Sequence, residues 1–288
     1  MSIASIQSKY PSAIWYDSSH GGTNSGTLDN PYTSLATAMT NASSGGVIAI
    51  LDGTHSEDAQ VTLPKSLTFV GESTAAILST SGGNYGAAIT ASGTAYSIKL
   101  ETLKVYHNSA AHTYGLITAG NVAGATVTVE GCILEMGSTT LTVSENRGWF
   151  SGSSTITSLT ISGSIILGGS NKVNTGFVIG GYTQPGFNSV DFQGNTFVIN
   201  GGSGTKFSSY SAGITSSIFK NNIFVGNGNS ETLGFTPATY SNNCHYNNGE
   251  TTGGTDNLFS TDPLFVDSAN GDFRLRPSSP CIGAGTAS

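Results

Sequence analysis

An all-β fold wound as a solenoid, one coil per repeat, is what this sequence predicts, and three observations predict it. The first is repetition. TVTVEGCILEM, centred on Gly131, has close copies in LTFVGESTAAIL, IKLETLKVY, LTISGSIILGG, VDFQGNTFVIN, IFKNNIFVGN and TYSNNCHYNN. Their corner residues Gly71, Thr102, Gly131, Gly163, Gly194, Asn221 and Asn242 lie 31, 29, 32, 31, 27 and 21 residues apart. That period is too short for separate domains and suits one turn of a coil whose turns bury their apolar faces only by stacking. The second is alternation. Val127 and Val129, Leu159 and Ile161, and Val190 and Phe192 fall on one face of an extended chain; Thr128 and Glu130, Thr160 and Ser162, and Asp191 and Gln193 fall on the other. The first set is predicted to face inward and the second to line the outer wall. The third is the place just after each corner, where Cys132, Ser164, Asn195, Asn222 and Asn243 recur. Small polar side chains stacked inward there can hydrogen-bond from turn to turn, and Gly or Asn at the corner tolerates positive φ.

In chain order, Ile14 to Tyr16 reads as a short strand, followed by the loop DSSHGGTNSGTLDNP. A helix is predicted to start at Pro31 after Asn30, with Leu35, Ala38, Met39 and Ala42 on one face. Laid across the first turn, it would cap a core otherwise open to water. Val47 to Leu51 is the first strand of the coil. Toward the end, Leu264 to Val266 and then Phe273 and Leu275 supply closing strands, with Pro277 and Pro280 stopping further strand addition. The organisation is one domain: residues 1–46 as strand, loop and capping helix, 47–258 as coils, and 259–288 as closing segment.

Charged residues make up only 9% of the chain, against about 25% in ordinary soluble domains. Gly, Ser, Thr and Asn supply the polarity, a surface suited to neutral glycans or other subunits. With 10 basic and 17 acidic residues the net charge is −7, and no basic stripe exists to meet phosphates, so nucleic acid is not an expected partner. The first residues lack the charged start and apolar run of a signal peptide, and no stretch reaches the roughly 18 apolar residues of a membrane span. Membrane insertion is therefore not expected. Of the cysteines, Cys132 and Cys244 lie within repeats as small buried fillers, and no spacing suggests a disulfide or a metal site.

The repeats, the opening order of Asp17, NPYTSLATAM and GGVIAILDGTH, and the close STDPLFVDSANGDFRLRPSSPCIGAG resemble the pectin-lyase-like superfamily. The resemblance implies a single-stranded right-handed parallel β-helix with a short N-terminal capping helix. Members include polysaccharide lyases and hydrolases, phage tailspikes and other virion spikes, and secreted adhesins. Taken with the bare amino terminus, it implies a non-enzymatic structural or adhesive protein of a bacteriophage particle: a spike, fibre or capsid decoration. Such a protein forms a homotrimer beside other virion proteins, touches surface polysaccharide, and sits on the virion or an extracellular surface without a classical signal peptide. The alternative is a polysaccharide lyase or glycoside hydrolase acting as a depolymerase. Against it, the chain has neither the Arg-rich motif of pectate lyases nor the paired aspartates of polygalacturonases.

Were it an enzyme, Glu101 and Glu130 would be the carboxylate pair, since each precedes a corner and adjacent strands would set them roughly 4.8 Å apart. His107 and His112 would be base and acid, or metal ligands; the plainer reading is loop histidines with solvated rings. Tyr106, Tyr114, Trp149 and Tyr182 are the candidate sugar-stacking aromatics, and their plainer role is core filling. No cofactor is expected. Calcium is the one ion with any claim, through Asp256, Asp262, Asp267 and Asp272, which read mainly as turn formers.

Overall fold

The computed structural model describes residues 1–57, 61–80, 89–91, 96–107, 116–119, 124–137, 150–152, 156–168, 177–179, 187–199, 207–209, 214–226, 237–249 and 253–286. Among them the chain is mostly β, arranged in three parallel sheets. The corner residues explain why. Each repeat sends one strand into sheet I, turns at the corner and sends the next into sheet II, and six repeats return by way of a strand in the six-stranded sheet III. Around Gly131, Thr126–Glu130 joins sheet I between Ile98–Glu101 and Ile156–Ser162, while Ile133–Met136 joins sheet II between Lys104–His107 and Ile165–Gly168. Every strand inside these sheets thus pairs in parallel with its equivalents one repeat earlier and later, and each edge strand with one of them, which is consistent with a parallel β-helix.

The inward columns match the alternation in the sequence. Ile48, Phe69, Leu100, Val129, Ile161, Phe192 and Phe219 succeed one another in register in sheet I, all fully buried. Sheet II stacks Leu78, Val105, Leu134, Ile166, Phe197 and Phe224 the same way. Toward the carboxyl end aromatic rings replace aliphatic ones: Phe197, Phe224, His245 and Phe259 form a continuous stack with centroids 5.0, 5.1 and 5.2 Å apart. Each such ring adds about 0.5–1.5 kcal/mol to the area it buries.

The corners behave as their composition demands. Thr102, Gly131, Gly163, Gly194, Asn221 and Asn242 all have φ between +54° and +65°. Gly71 is a glycine for another reason: a Cβ there would lie 2.3 Å from the Thr102 carbonyl oxygen and 2.8 Å from Leu103 Cβ. Immediately past the corners runs the polar ladder. Cys132 N–H donates to Ser164 Oγ (3.1 Å), Ser164 N–H to Asn195 Oδ1 (3.0 Å), Asn195 N–H to Asn222 Oδ1 (3.0 Å), Asn222 N–H to Asn243 Oδ1 (3.0 Å) and Asn243 N–H to Asn257 Oδ1 (2.7 Å). The ladder lets successive turns change direction without leaving buried amides unpaired.

Three features differ from the sequence reading. The helix α2, Leu35–Asn41, starts at an N-cap Ser34 and not at Pro31. Tyr32 bridges to Tyr16 and exchanges backbone hydrogen bonds with Trp15 and Asp17, so this stretch is held extended and the helix begins only after it. Leu35, Ala38, Met39 and Ala42 do face the core. The closing strands Phe265–Asp267 and Asp272–Leu275 pair with each other as an antiparallel hairpin and do not extend the parallel sheets. A further helix, α1 (Ile3–Lys9), begins at an N-cap Ser2 and lies outside the sheets. Its Ile6 packs with Trp15, Ala49 and Val70 in a small second core against the outer face of sheet I.

Candidate functional site

The outer face of sheet I collects the polar side chains in two parallel columns. One runs Lys99, Thr128, Thr160, Asp191; the other runs Ala49, Val70, Glu101, Glu130, Ser162, Gln193, Lys220. The second column is apolar where α1 covers it, acidic at the carboxyl end of α1, then hydroxyl and amide, and cationic at Lys220. Period-two strands put these residues outward, and parallel in-register pairing stacks them at about 4.8 Å.

At the acidic step Glu101 and Glu130 are direct register partners, as the sequence implied. Their surroundings differ from an open wall. Glu101 is 4% exposed, because Lys9 Nζ (2.5 Å) and the Tyr10 hydroxyl (2.6 Å) reach over it from the end of α1. Lys99 Nζ lies between the two carboxylates, 3.4 Å from Glu101 and 2.7 Å from Glu130. Burial pushes the Glu101 carboxyl up, but hydrogen bonds from Lys9 and Tyr10 and the charges of Lys99 and Lys9 outweigh it and hold the group below the usual carboxylate range. A general acid needs the opposite shift. Lys104, the other cation near this step in the sequence, pairs instead with Glu135 on sheet II at 2.6 Å.

Adjacent residues of a strand point to opposite faces, and this separates Tyr106 from His107. His107 is turned inward, 2% exposed, with Nδ1 2.8 Å from the Thr80 hydroxyl. It is a core histidine, not the solvated loop residue that the sequence suggested. Tyr106 faces outward on sheet II, half-buried, with Lys104 Nζ 5.7 Å from its ring centroid. His112, Tyr114, Trp149 and Tyr182 lie outside the described residues.

Farther along sheet I, Thr160, Ser162, Asp191 and Gln193, with the corners Gly163, Gly194 and Asn221, line a cleft of about 360 Å³. Gln193 Nε2 donates to Asp191 Oδ1 at 2.9 Å, which fixes both side chains. Hydroxyl, amide and carboxylate groups at regular spacing offer donors and acceptors to a ligand rich in hydroxyls. The sequence showed these residues as an outer stripe; that three successive corners flank them as a cleft follows only from the stacking.

The terminal aspartates act locally. Asp262 accepts from Leu264 N–H, Asp267 caps the 3₁₀ turn at Asn270, and Asp272 binds Arg274 by two hydrogen bonds of 2.9 and 2.6 Å. Among the described residues no group of three or more His, Cys, Asp or Glu side chains is placed to hold a metal ion. Nor is any helix among them long and apolar enough to cross a membrane.

Fold and face together define a mostly β protein of long parallel sheets, whose outer wall on sheet I passes from the charged cluster of Lys99, Glu101 and Glu130 to hydroxyl and amide groups beyond it. No family model matches the chain, and no curated protein matches it.

Proposed function

We propose that this chain is a right-handed parallel β-helix of the pectin-lyase-like kind that works as a non-enzymatic structural and adhesive protein of a virus particle, holding surface polysaccharide on the outer wall of sheet I. The observation that carries the reading is the cleft over Thr160, Ser162, Asp191 and Gln193, where in-register columns repeat their hydrogen-bonding groups. A repeating ligand such as a glycan chain meets a repeating surface there. The low charge suits neutral sugars, and the buried ladder beneath holds the wall stiff. Homotrimer formation and neighbouring virion proteins belong to the same proposal.

The test is binding of the purified protein to an array of bacterial surface polysaccharides, with Asp191→Ala and Gln193→Ala as probes. At least tenfold weaker binding with an unchanged melting temperature is expected. Retention of no glycan, or unaltered binding by both variants, would refute it. Light scattering that finds a monomer at micromolar concentration would remove the trimer.

A glycan-cleaving enzyme is the second reading, favoured by one observation, the register pairing of Glu101 with Glu130. Both carboxylates are engaged by Lys99, and Glu101 is held below its usual range. Release of reducing ends or unsaturated sugars by the wild type, lost in Glu130→Gln, would establish it.

A further inference from the structure

We propose that Cys244 and Cys281 form a dithiol that closes to a disulfide on meeting a small-molecule disulfide such as oxidised glutathione, fastening the closing segment to the last turn of sheet II. The proposal is independent of the function proposed above. Cys244 opens the strand Cys244–Tyr246 and succeeds Ile223 in an outward column. Such a position ordinarily meets water, yet Cys244 is only 3% exposed. The chain beyond the strand folds back over it: Leu258 bridges to Cys244, and the Cys244 sulfur lies 3.4 Å from the Thr261 carbonyl oxygen.

The closing segment is seated by bonds from the corners. Asn221 Nδ2 donates to the Thr286 carbonyl (2.8 Å), Thr286 N–H returns a bond to Asn221 Oδ1 (3.0 Å), and Asn242 Nδ2 donates to the Ala284 carbonyl (3.1 Å). Ser279, anchored through its hydroxyl to the Pro263 carbonyl at 2.6 Å, accepts from Cys281 N–H at 3.2 Å. These contacts bring Cys281 to the same cleft as Cys244. Both cysteines line a cleft of about 320 Å³ with Leu258, Leu275 and Gly283.

The two sulfurs are unequal. The neighbouring Cys244 thiol favours the Cys281 thiolate and holds that thiol below the ordinary range against the effect of its partial burial. The neighbouring Cys281 sulfur, then burial, pushes the Cys244 thiol up. Cys281, half-buried, is therefore the attacking thiolate, and Cys244 the resolving thiol. In the first step the Cys281 thiolate attacks one sulfur of oxidised glutathione, the S–S bond breaks, and one glutathione thiolate leaves. In the second, Cys244 gives its proton to that thiolate and attacks the Cys281 sulfur, expelling the second glutathione as a thiolate. One protein disulfide forms, and the two electrons leave with the reduced glutathione. The bond would join positions 37 residues apart and limit the freedom of the unfolded chain. Cys132 sits in the ladder several turns away, and burial pushes its thiol up to about 12, so it stays reduced.

The experiment treats the folded protein with oxidised glutathione and then counts thiols after denaturation. Expected are a fall from three thiols to one, a peptide linking Cys244 to Cys281 in a non-reducing digest, and a melting temperature raised by several degrees until dithiothreitol is added. Cys244→Ser should halt at a glutathione adduct on Cys281, and Cys281→Ser should consume no thiol. Three thiols surviving in the wild type, a persistent adduct on the wild type, or a link through Cys132 would each overturn the proposal.

Discussion

Replacing Asn222 tests the ladder that lets one turn follow the next. Its side chain makes four hydrogen bonds. Oδ1 accepts from Asn195 N–H and from Asn195 Nδ2, each at 3.0 Å; Nδ2 donates to the Phe192 carbonyl (2.8 Å) and to Asn243 Oδ1 (3.1 Å). In Asn222→Ala most of the partners keep another bond. Asn195 Nδ2 retains the Ile161 carbonyl at 2.7 Å, and Asn243 Oδ1 retains Asn222 N–H at 3.0 Å. The buried Asn195 N–H is the group left orphaned, at a cost of about 1–3 kcal/mol. A small void in a packed interior adds to this, for a total of about 2–4 kcal/mol. Asn222→Ser should cost far less, about 1 kcal/mol. Two turns earlier Ser164 already fills the equivalent place, accepting from Cys132 N–H at 3.1 Å and donating to the Ser162 carbonyl at 2.9 Å. Asn222→Asp should be the worst of the three, because it sets a carboxylate against the Asn243 Oδ1 and Phe192 carbonyl acceptors with water excluded. Guanidinium unfolding followed by circular dichroism measures all three. Equal losses for Ala and Ser, within about 0.5 kcal/mol, would refute the claim that the orphaned amide sets the cost.

Thr102 is the one β-branched residue among the left-handed corners, at φ +54°, so Thr102→Asn, matching Asn221 and Asn242, should raise stability by about 1 kcal/mol, seen as a higher melting temperature. Gly71→Ala should cost about 2–3 kcal/mol or more in the same unfolding assay, because the new methyl would press on the Thr102 carbonyl and Leu103. For the bond between Glu101 and α1 the sign follows from linkage. The folded carboxyl is held low, so its stabilisation is complete above the unfolded value of about 4.3 and fades as pH falls through the lower folded value. In a Trp149→Phe background, Trp15 emission should therefore show the wild type melting above Glu101→Gln at pH 7, with the gap closing below about pH 4; a gap independent of pH would count against it.

Much of the fold was legible because its driving forces are local and repeated. Val129, Ile161 and Phe192 alternate with polar residues, and burying them demands an identical strand above and below. Gly131, Gly163, Gly194 and the asparagines at 221 and 242 mark where the backbone must take positive φ, and the next residue in each repeat is the one that bonds across turns. The candidate site was legible only in part. Period two placed Glu101, Glu130, Thr160, Ser162, Asp191 and Gln193 outward, and register pairing kept them together. It was silent about what else lies on that wall.

The amino-acid order alone settled that Val129, Ile161 and Phe192 face inward, where the chain bends and how the polar ladder runs, because each depends on neighbours one repeat away. Tertiary structure alone decided that α1 covers Ala49 and Val70 and closes over Glu101, that His107 is enclosed, and that Cys281 returns to Cys244. Ser2 with Ile3, Ile6 and Tyr10 at helical spacing, and the outward Ala49 and Val70, were the signals that could have revealed the first of these. The reason is physical: contacts between segments far apart in sequence arise from complementary surfaces that exist only once the sheets have stacked, and no local period records them.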